Sequence, residues 1–274
     1  MSGRGLSSLP GLGLTPRALT ILACAFLVLP HFVVALVSFD PSPAAIFPPK
    51  DFSFRWYVNA FTRPVFREAL GLSVMVALGA TAIAITAGTL VSYLIVRYRF
   101  PGRTLLTALL QMPMMFPEVV LGLGFLILFA QMQWYSSIVN ILLAHAVITL
   151  PYAVRVITAN LQTTSRSLEE AAYVLGCGPV RTFLKVTLPT IWPGMVAAAV
   201  FAFVVSFDNF TVTAFLVTTR GTMPIEIYSY IRTESDPTIA ALSTVLILIS
   251  LAGLLAIERL IGFARITQGG GFKG

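Results

Sequence analysis

Charge is what this chain has least of. Asp, Glu, Lys and Arg make up 11% of its 274 residues, against 57% hydrophobic residues and a mean hydropathy of +0.88. Soluble domains carry roughly 25% charged residues, so a soluble globular fold is excluded. Cysteine is nearly absent: Cys24 lies in an apolar run and Cys177 in a polar loop, which supplies neither a disulfide framework nor a thiolate metal site. The two histidines, His31 and His145, are far apart in apolar segments, with no H-E-x-x-H. They are expected as packed or hydrogen-bonded side chains, and an intramembrane metalloenzyme has no ligand set. There is no G-x-x-x-x-G-K-[ST] phosphate loop, so the chain is not itself an ATPase. The short alternating segments of an outer-membrane barrel are also missing.

Apolar runs of about twenty residues are what remain, each able to cross a bilayer as a helix that satisfies its own backbone. The expectation is an all-α, polytopic membrane protein, one transmembrane domain over 1–274. Its six spans fall at 17–38, 69–96, 104–131, 137–159, 191–218 and 239–261. Arg4 and Arg17 precede the apolar run Ala18–Ser38. A signal peptide has an apolar core of about 7–15 residues and a small-x-small cleavage site; this run is longer and no such site follows, so it reads as a retained first span. Between the first two spans, Phe39–Glu68 carries prolines at 41, 43, 48 and 49 and then Phe54-Arg55-Trp56-Tyr57, the pattern of an interfacial helix. The glycine-rich Gln268–Gly274 reads as a flexible end.

The formal net charge of +7 could suggest nucleic acid, but the basic residues lie in short segments between spans, where they set topology. With the amino terminus inside, the inner face holds Arg4, Arg17, Arg97, Arg99, Arg103, Arg155, Arg166, Arg181, Lys185, Arg259, Arg265 and Lys273. The outer face holds Lys50, Arg55, Arg63, Arg67, Arg220 and Arg232, offset by Asp40, Asp51, Glu68, Glu226, Glu234 and Asp236. Both termini are therefore expected in the cytoplasm, together with the polar stretch of about 165–190.

That stretch is amphipathic and contains its own turn. Ser167-Leu168-Glu169-Glu170 reads as a capping box, Ser167 capping a helix while Glu170 reaches back. Gly176-Cys177-Gly178 frees the backbone for a sharp turn, Pro179 suits the first position of a second helix, and Leu188-Pro189 is expected to end it. The product is a helix–turn–helix knob offering Tyr173, Val174 and Phe183 to a partner. Its spacing, Glu170-Ala171-Ala172, then Tyr173 and Gly176, then Val186-x-Leu188-Pro189, resembles the EAA loop of permease subunits of type I ABC importers, with Val186 where isoleucine is more usual. That resemblance implies that the loop couples to a cytoplasmic ATPase and that Glu170 helps engage it.

The likeness extends further. Phe54–Tyr57, Pro117-Glu118-Val119-Val120, Ser206-Phe207-Asp208-Asn209-Phe210 and Met223–Ser229 are similar to the second permease of spermidine/putrescine importers. This implies a sister permease, two ATPase subunits that bind ATP and Mg, and a periplasmic solute-binding protein, with this chain in a bacterial inner membrane and holding no cofactor. Polyamine permeases of this kind carry S-x-D-D where this chain has Asp208-Asn209, which leaves other small solutes open: a phosphonate, an opine or a quaternary amine. A standalone channel or secondary carrier is the rival of a different class, one with no use for the knob.

Two carboxylates fall deep within expected spans: Glu118, near the centre of the third, and Asp208, in the outer half of the fifth. A charge there costs on the order of 3 kcal/mol, so such residues face a bundle interior or a water-filled path. Pro113 and Pro117 lack N–H groups and should break the helix beside Glu118. Asp208 and Asn209 are expected to line a substrate path, with Glu118 joining or gating it. The competing reading makes these carboxylates interhelical hydrogen-bond partners.

Overall fold

The computed structural model describes residues 14–43, 47–234 and 236–269. Arg4, Lys273 and most of the glycine-rich end expected to be flexible, residues 270–274, lie outside the described residues. Helix is the only regular structure among the described residues, as the all-α expectation requires. In chain order the helices are α1 (Leu14–Val37), α2 (Arg55–Thr62), α3 (Pro64–Arg97), α4 (Arg103–Gln111), α5 (Glu118–Gln131), α6 (Ser137–Thr163), α7 (Ser167–Val174), α8 (Pro179–Thr182), α9 (Leu188–Phe207), α10 (Thr211–Leu216), α11 (Met223–Thr233) and α12 (Thr238–Gly269).

Among the described residues, four stretches are long and apolar enough to cross a membrane: Ala18–Val37, Pro64–Arg97, Ser137–Thr163 and Pro179–Phe207. The third expected span is not one straight helix. Arg103–Met114 and Glu118–Gln131 meet at 102°, because the N–H groups missing at Pro113 and Pro117 interrupt the ladder and a 3₁₀ turn, Met112–Met114, replaces it. The fifth expected span is also shorter than drawn. Helix α9 stops at Phe207, and the chain turns through Asp208–Phe210 before the short α10. At the sixth, α12 (Thr238–Gly269) runs through the expected segment.

The described chain falls into two compact units, one formed by residues up to Thr62 with Tyr230–Ile247, the other by Arg63–Ser229 with residues from Leu248 on. In the first, α2 is the short helix expected after the prolines. Its Trp56 donates from Nε1 to the Asp40 carbonyl at 2.6 Å, and Tyr57 hydrogen-bonds Ser38 at 2.7 Å. Phe39 sits among Phe52, Phe54 and Tyr57. Asn59 donates to Thr238 at the start of α12 (2.9 Å).

In the second unit α3, α6 and α9 pack against one another. One core cluster joins Leu72 and Val76 of α3, Phe129 of α5, Ile141, Ala144 and Ile148 of α6, and Val212 and Leu216 of α10. Another joins Ile157 and Leu161 of α6 to Ile191 and Ala198 of α9. Gly194 lets α9 approach α6 closely: a Cβ there would lie 2.4 Å from the Asn160 side chain. His145 is fully buried and bridges helices, contacting Ser206 Oγ of α9 at 2.8 Å and Thr213 Oγ1 of α10 at 2.9 Å. It is a packed, hydrogen-bonded histidine, as expected. His31 contacts the Leu27 carbonyl of its own helix at 3.1 Å.

Candidate functional site

The two helix breaks, 91 residues apart in sequence, meet. Glu118 opens α5 directly after Pro117, where the unsatisfied N–H groups of the first turn favour a negative charge. Asn209 follows the end of α9 and is buried. Its Oδ1 accepts the Val212 N–H at 3.0 Å, capping α10, and its own carbonyl accepts from Thr213 Oγ1 at 3.0 Å. With Oδ1 engaged by the cap, Nδ2 is directed at Glu118 and donates to Oε2 at 3.2 Å. His145 braces the same junction from α6 through Ser206 and Thr213.

Glu118 and Asn209 are thus brought into contact. Asp208 stands beside them in sequence but not in this bond: its side chain is exposed and makes no hydrogen bond or ion pair among the described residues. Glu118 is exposed too and has no cationic partner there. The arrangement is one anchored carboxylate and one free carboxylate at a pair of broken helices.

The polar stretch forms the expected helix–turn–helix, with different detail. Helix α7 carries Glu170, Ala171, Ala172 and Tyr173 and ends in a Schellman turn, Cys177 N–H bonding the Ala172 carbonyl and Gly176 N–H that of Tyr173, both at 3.0 Å. Gly176 takes φ +82°, the left-handed value this turn needs. Gly178 has φ −70° and needs no glycine, while Pro179 opens α8.

Three expectations fail here. The capping box does not form, because Arg166 is already helical (φ −70°, ψ −21°) and Ser167 therefore lies inside the helix, not at its extended boundary. Ser167 hydrogen-bonds Ser165 at 2.7 Å, and Glu170 pairs with Arg166 at 3.4 Å with both side chains exposed. Leu188-Pro189 does not end the second helix. A π turn, Phe183–Thr187, carries it into α9, with Leu188 N–H reaching the Phe183 carbonyl, and Pro189 falls in the first turn of α9. Phe183 is not offered to a partner; it is half-buried with its ring 4.8 Å from Tyr93 of α3.

Val174, Leu175 and Val180 instead form the exposed apolar crown, at 87%, 83% and 71% exposure, beside the less exposed Tyr173. Ala171 and Pro189 are exposed, Val186 and Leu188 half-buried, and Ala172 is buried.

Sequence reasoning missed the residue beneath this crown. Glu169 is buried, and its Oε1 accepts from Arg97 Nε of α3 at 3.0 Å and from Thr187 Oγ1 of the π turn at 3.0 Å. Arg97 also reaches the Thr164 carbonyl at the end of α6, at 3.4 Å. The available signal was periodicity: Glu169 and Ala172, three apart, share the inward face of α7 and Glu170 does not.

Comparison with known proteins agrees with this architecture. Residues 80–263 match the model of the family described as binding-protein-dependent transport system inner membrane component. The putrescine transport system permease protein PotI of Escherichia coli (strain K12) is 30% identical over 245 residues, covering 86% of this chain and 87% of that protein. The spermidine/putrescine transport system permease protein PotC of Haemophilus influenzae is 30% identical over 246 residues, covering 89% and 95%. A probable sulfate transport system permease protein of Nephroselmis olivacea is also 30% identical, over 74% of this chain and 77% of its own. Among solved structures, a chain of a bacterial ABC transporter that imports alginate superposes with a TM-score of 0.69 at 14% identity, covering 95% of this chain and 99% of its own. A chain of the MetNI methionine transporter gives 0.59 at 17% identity, covering 72% and 96%. The chain belongs to the family of binding-protein-dependent transport system inner membrane components, and is a permease subunit of the type I ABC importer class.

Proposed function

We propose that this permease carries a small organic cation, of the polyamine class, across a bacterial inner membrane past Glu118, Asn209 and Asp208. The observation that carries this reading is the pair of exposed carboxylates at the two helix breaks, neither of which has a cationic partner among the described residues. A solute amine would supply the missing counter-charge, whereas an anion such as sulfate would meet repulsion there. The names of the putrescine and spermidine/putrescine relatives point the same way.

In this reading the chain forms the path with a sister permease and holds no cofactor. ATP and Mg are bound by two ATPase subunits, which dock on the exposed face of the α7–α8 element through Glu170, Tyr173 and the apolar crown. A periplasmic binding protein delivers the solute. Both chain termini and the α7–α8 element face the cytoplasm, a placement supported by the distribution of Lys and Arg.

The test is thermal stabilisation of the cognate binding protein by putrescine, spermidine, a quaternary amine, a phosphonate and sulfate. A true ligand at 100 times its Kd adds about 2.7 kcal/mol of stability. Stabilisation by the polyamines is expected; stabilisation by sulfate or the phosphonate alone would overturn the cation reading while leaving the importer class intact.

A further inference from the structure

Helix α3 has 34 residues, or about 51 Å at 1.5 Å per residue, which exceeds the ~30 Å hydrocarbon core. Its last residue, Arg97, follows the expected span 69–96 and meets the α7–α8 element. The contact is a buried polar knot: the Arg97 and Glu169 side chains are only 9% and 5% exposed. One carboxylate oxygen, Glu169 Oε1, takes both the Arg97 Nε donor and the Thr187 hydroxyl, so a single atom ties α7 to α3 and to the π turn at the root of α9. The second Arg97 bond, to the Thr164 carbonyl, adds the end of α6. Glu169 thus bonds α3 and the π turn that leads into α9, and it reaches the end of α6 through Arg97.

Glu170, next in sequence, points the other way. It is 63% exposed and, among the described residues, its side chain pairs only with the equally exposed Arg166, away from the core.

We propose that Glu169 and Arg97 are positioning residues for energy coupling: the strut through which displacement of the α7–α8 element is passed to α3, α6 and α9. This rests on the reading that the element docks on an ATPase, and assigns the two jobs to adjacent residues. Glu170 faces the partner and Glu169 faces the permease core. A polar strut suits this role because charge-assisted hydrogen bonds are short and directional and fix relative position, whereas apolar side chains in contact can slide. The π turn adds to the assignment, since such turns recur at functional sites and this one places Thr187 on the strut.

The test must separate coupling from mere stability. Replacing both members of a buried ion pair by apolar residues of similar size is often neutral or stabilising, whereas removing one strands a charge. The double variant Arg97→Met with Glu169→Leu therefore keeps the fold and removes the strut. It is assembled with the sister permease and ATPase in proteoliposomes, with the binding protein and radiolabelled putrescine outside. Three quantities are read: ATPase retained on purification, ATP hydrolysed, and putrescine taken up per ATP.

The expected result is an assembled complex that hydrolyses ATP with uptake per ATP reduced on the order of tenfold, within the usual range of coupling between sites. Wild-type uptake per ATP in the double variant overturns the proposal, because the pair would then only stabilise. Loss of the ATPase from the double variant overturns it too, by making Glu169 part of docking. Glu170→Lys is the control for the underlying reading and should detach the ATPase. If the wild-type complex retains no ATPase at all, the docking reading itself fails, an outcome distinct from both others.

Discussion

Asn209 carries more of this site than its size suggests. Its carbonyl oxygens and amide serve three partners, Val212, Thr213 and Glu118, so it secures the first turn of α10 and anchors a carboxylate of α5. Replacing it with alanine removes a helix cap and an interhelical bond, and should lower stability by about 1–2 kcal/mol, read as a fall in melting temperature of the detergent-solubilised chain. Asp208→Asn should behave differently. That side chain makes no bond among the described residues, so melting and assembly should match wild type while putrescine uptake falls. A melting loss equal to that of Asn209→Ala would return Asp208 to a structural role. The S-x-D-D pattern of polyamine permeases also gains a physical comparison. An aspartate at 209 could still cap α10 but could not donate to Glu118, so this chain's asparagine exchanges a charge for an anchor.

At the scale of elements, the breaks matter more than the helices. The bend after α4 and the stop after α9 put polar backbone and carboxylates where an unbroken helix would have kept every N–H and C=O occupied. The α7–α8 element depends on one backbone position in the same way. Gly176 at φ +82° closes the Schellman turn, and a side chain there is disfavoured by about 1–2 kcal/mol. Gly176→Ala should therefore loosen the turn, seen as faster amide exchange at Gly176 and Cys177 relative to wild type, with protection in α6 and α9 preserved. No space is lost, since nothing lies within 4 Å of the added Cβ; a broad loss of protection across α6 would contradict this local account.

For the whole molecule, orientation is the property most open to direct measurement. Cys24 and Cys177 are the chain's two cysteines, and both are free. Cys177 sits in the turn of the α7–α8 element, partly exposed. In a Cys24→Ser background without the ATPase, a membrane-impermeant maleimide should label Cys177 in inside-out vesicles and spare it in right-side-out cells. The reverse pattern would invert the topology drawn from the Lys and Arg distribution. Packing also differs along the chain: α1 contributes an exposed apolar surface across Ala18–Phe32, whereas most of the apolar window in α6 is buried. Helices exposed in this way fit lipid or another subunit as their surroundings.

The sequence by itself determined the class, the approximate positions of the apolar helices, the α7–α8 turn and the carboxylates proposed for the path. These follow from composition, from the length an apolar run needs to cross a bilayer, and from local rules for glycine and proline. Pro113 and Pro117 were legible as breakers because a missing N–H acts locally. Tertiary structure alone decided which distant groups meet. That Asn209 donates to Glu118, and that Glu169 rather than Glu170 turns inward to Arg97 and Thr187, depends on how α5, α3 and the root of α9 are placed in space. The failed capping box shows the same limit on a smaller scale. Ser167 and Glu170 have the right spacing, but the incoming chain is already helical at Arg166, and no local pattern records the direction from which a helix is entered.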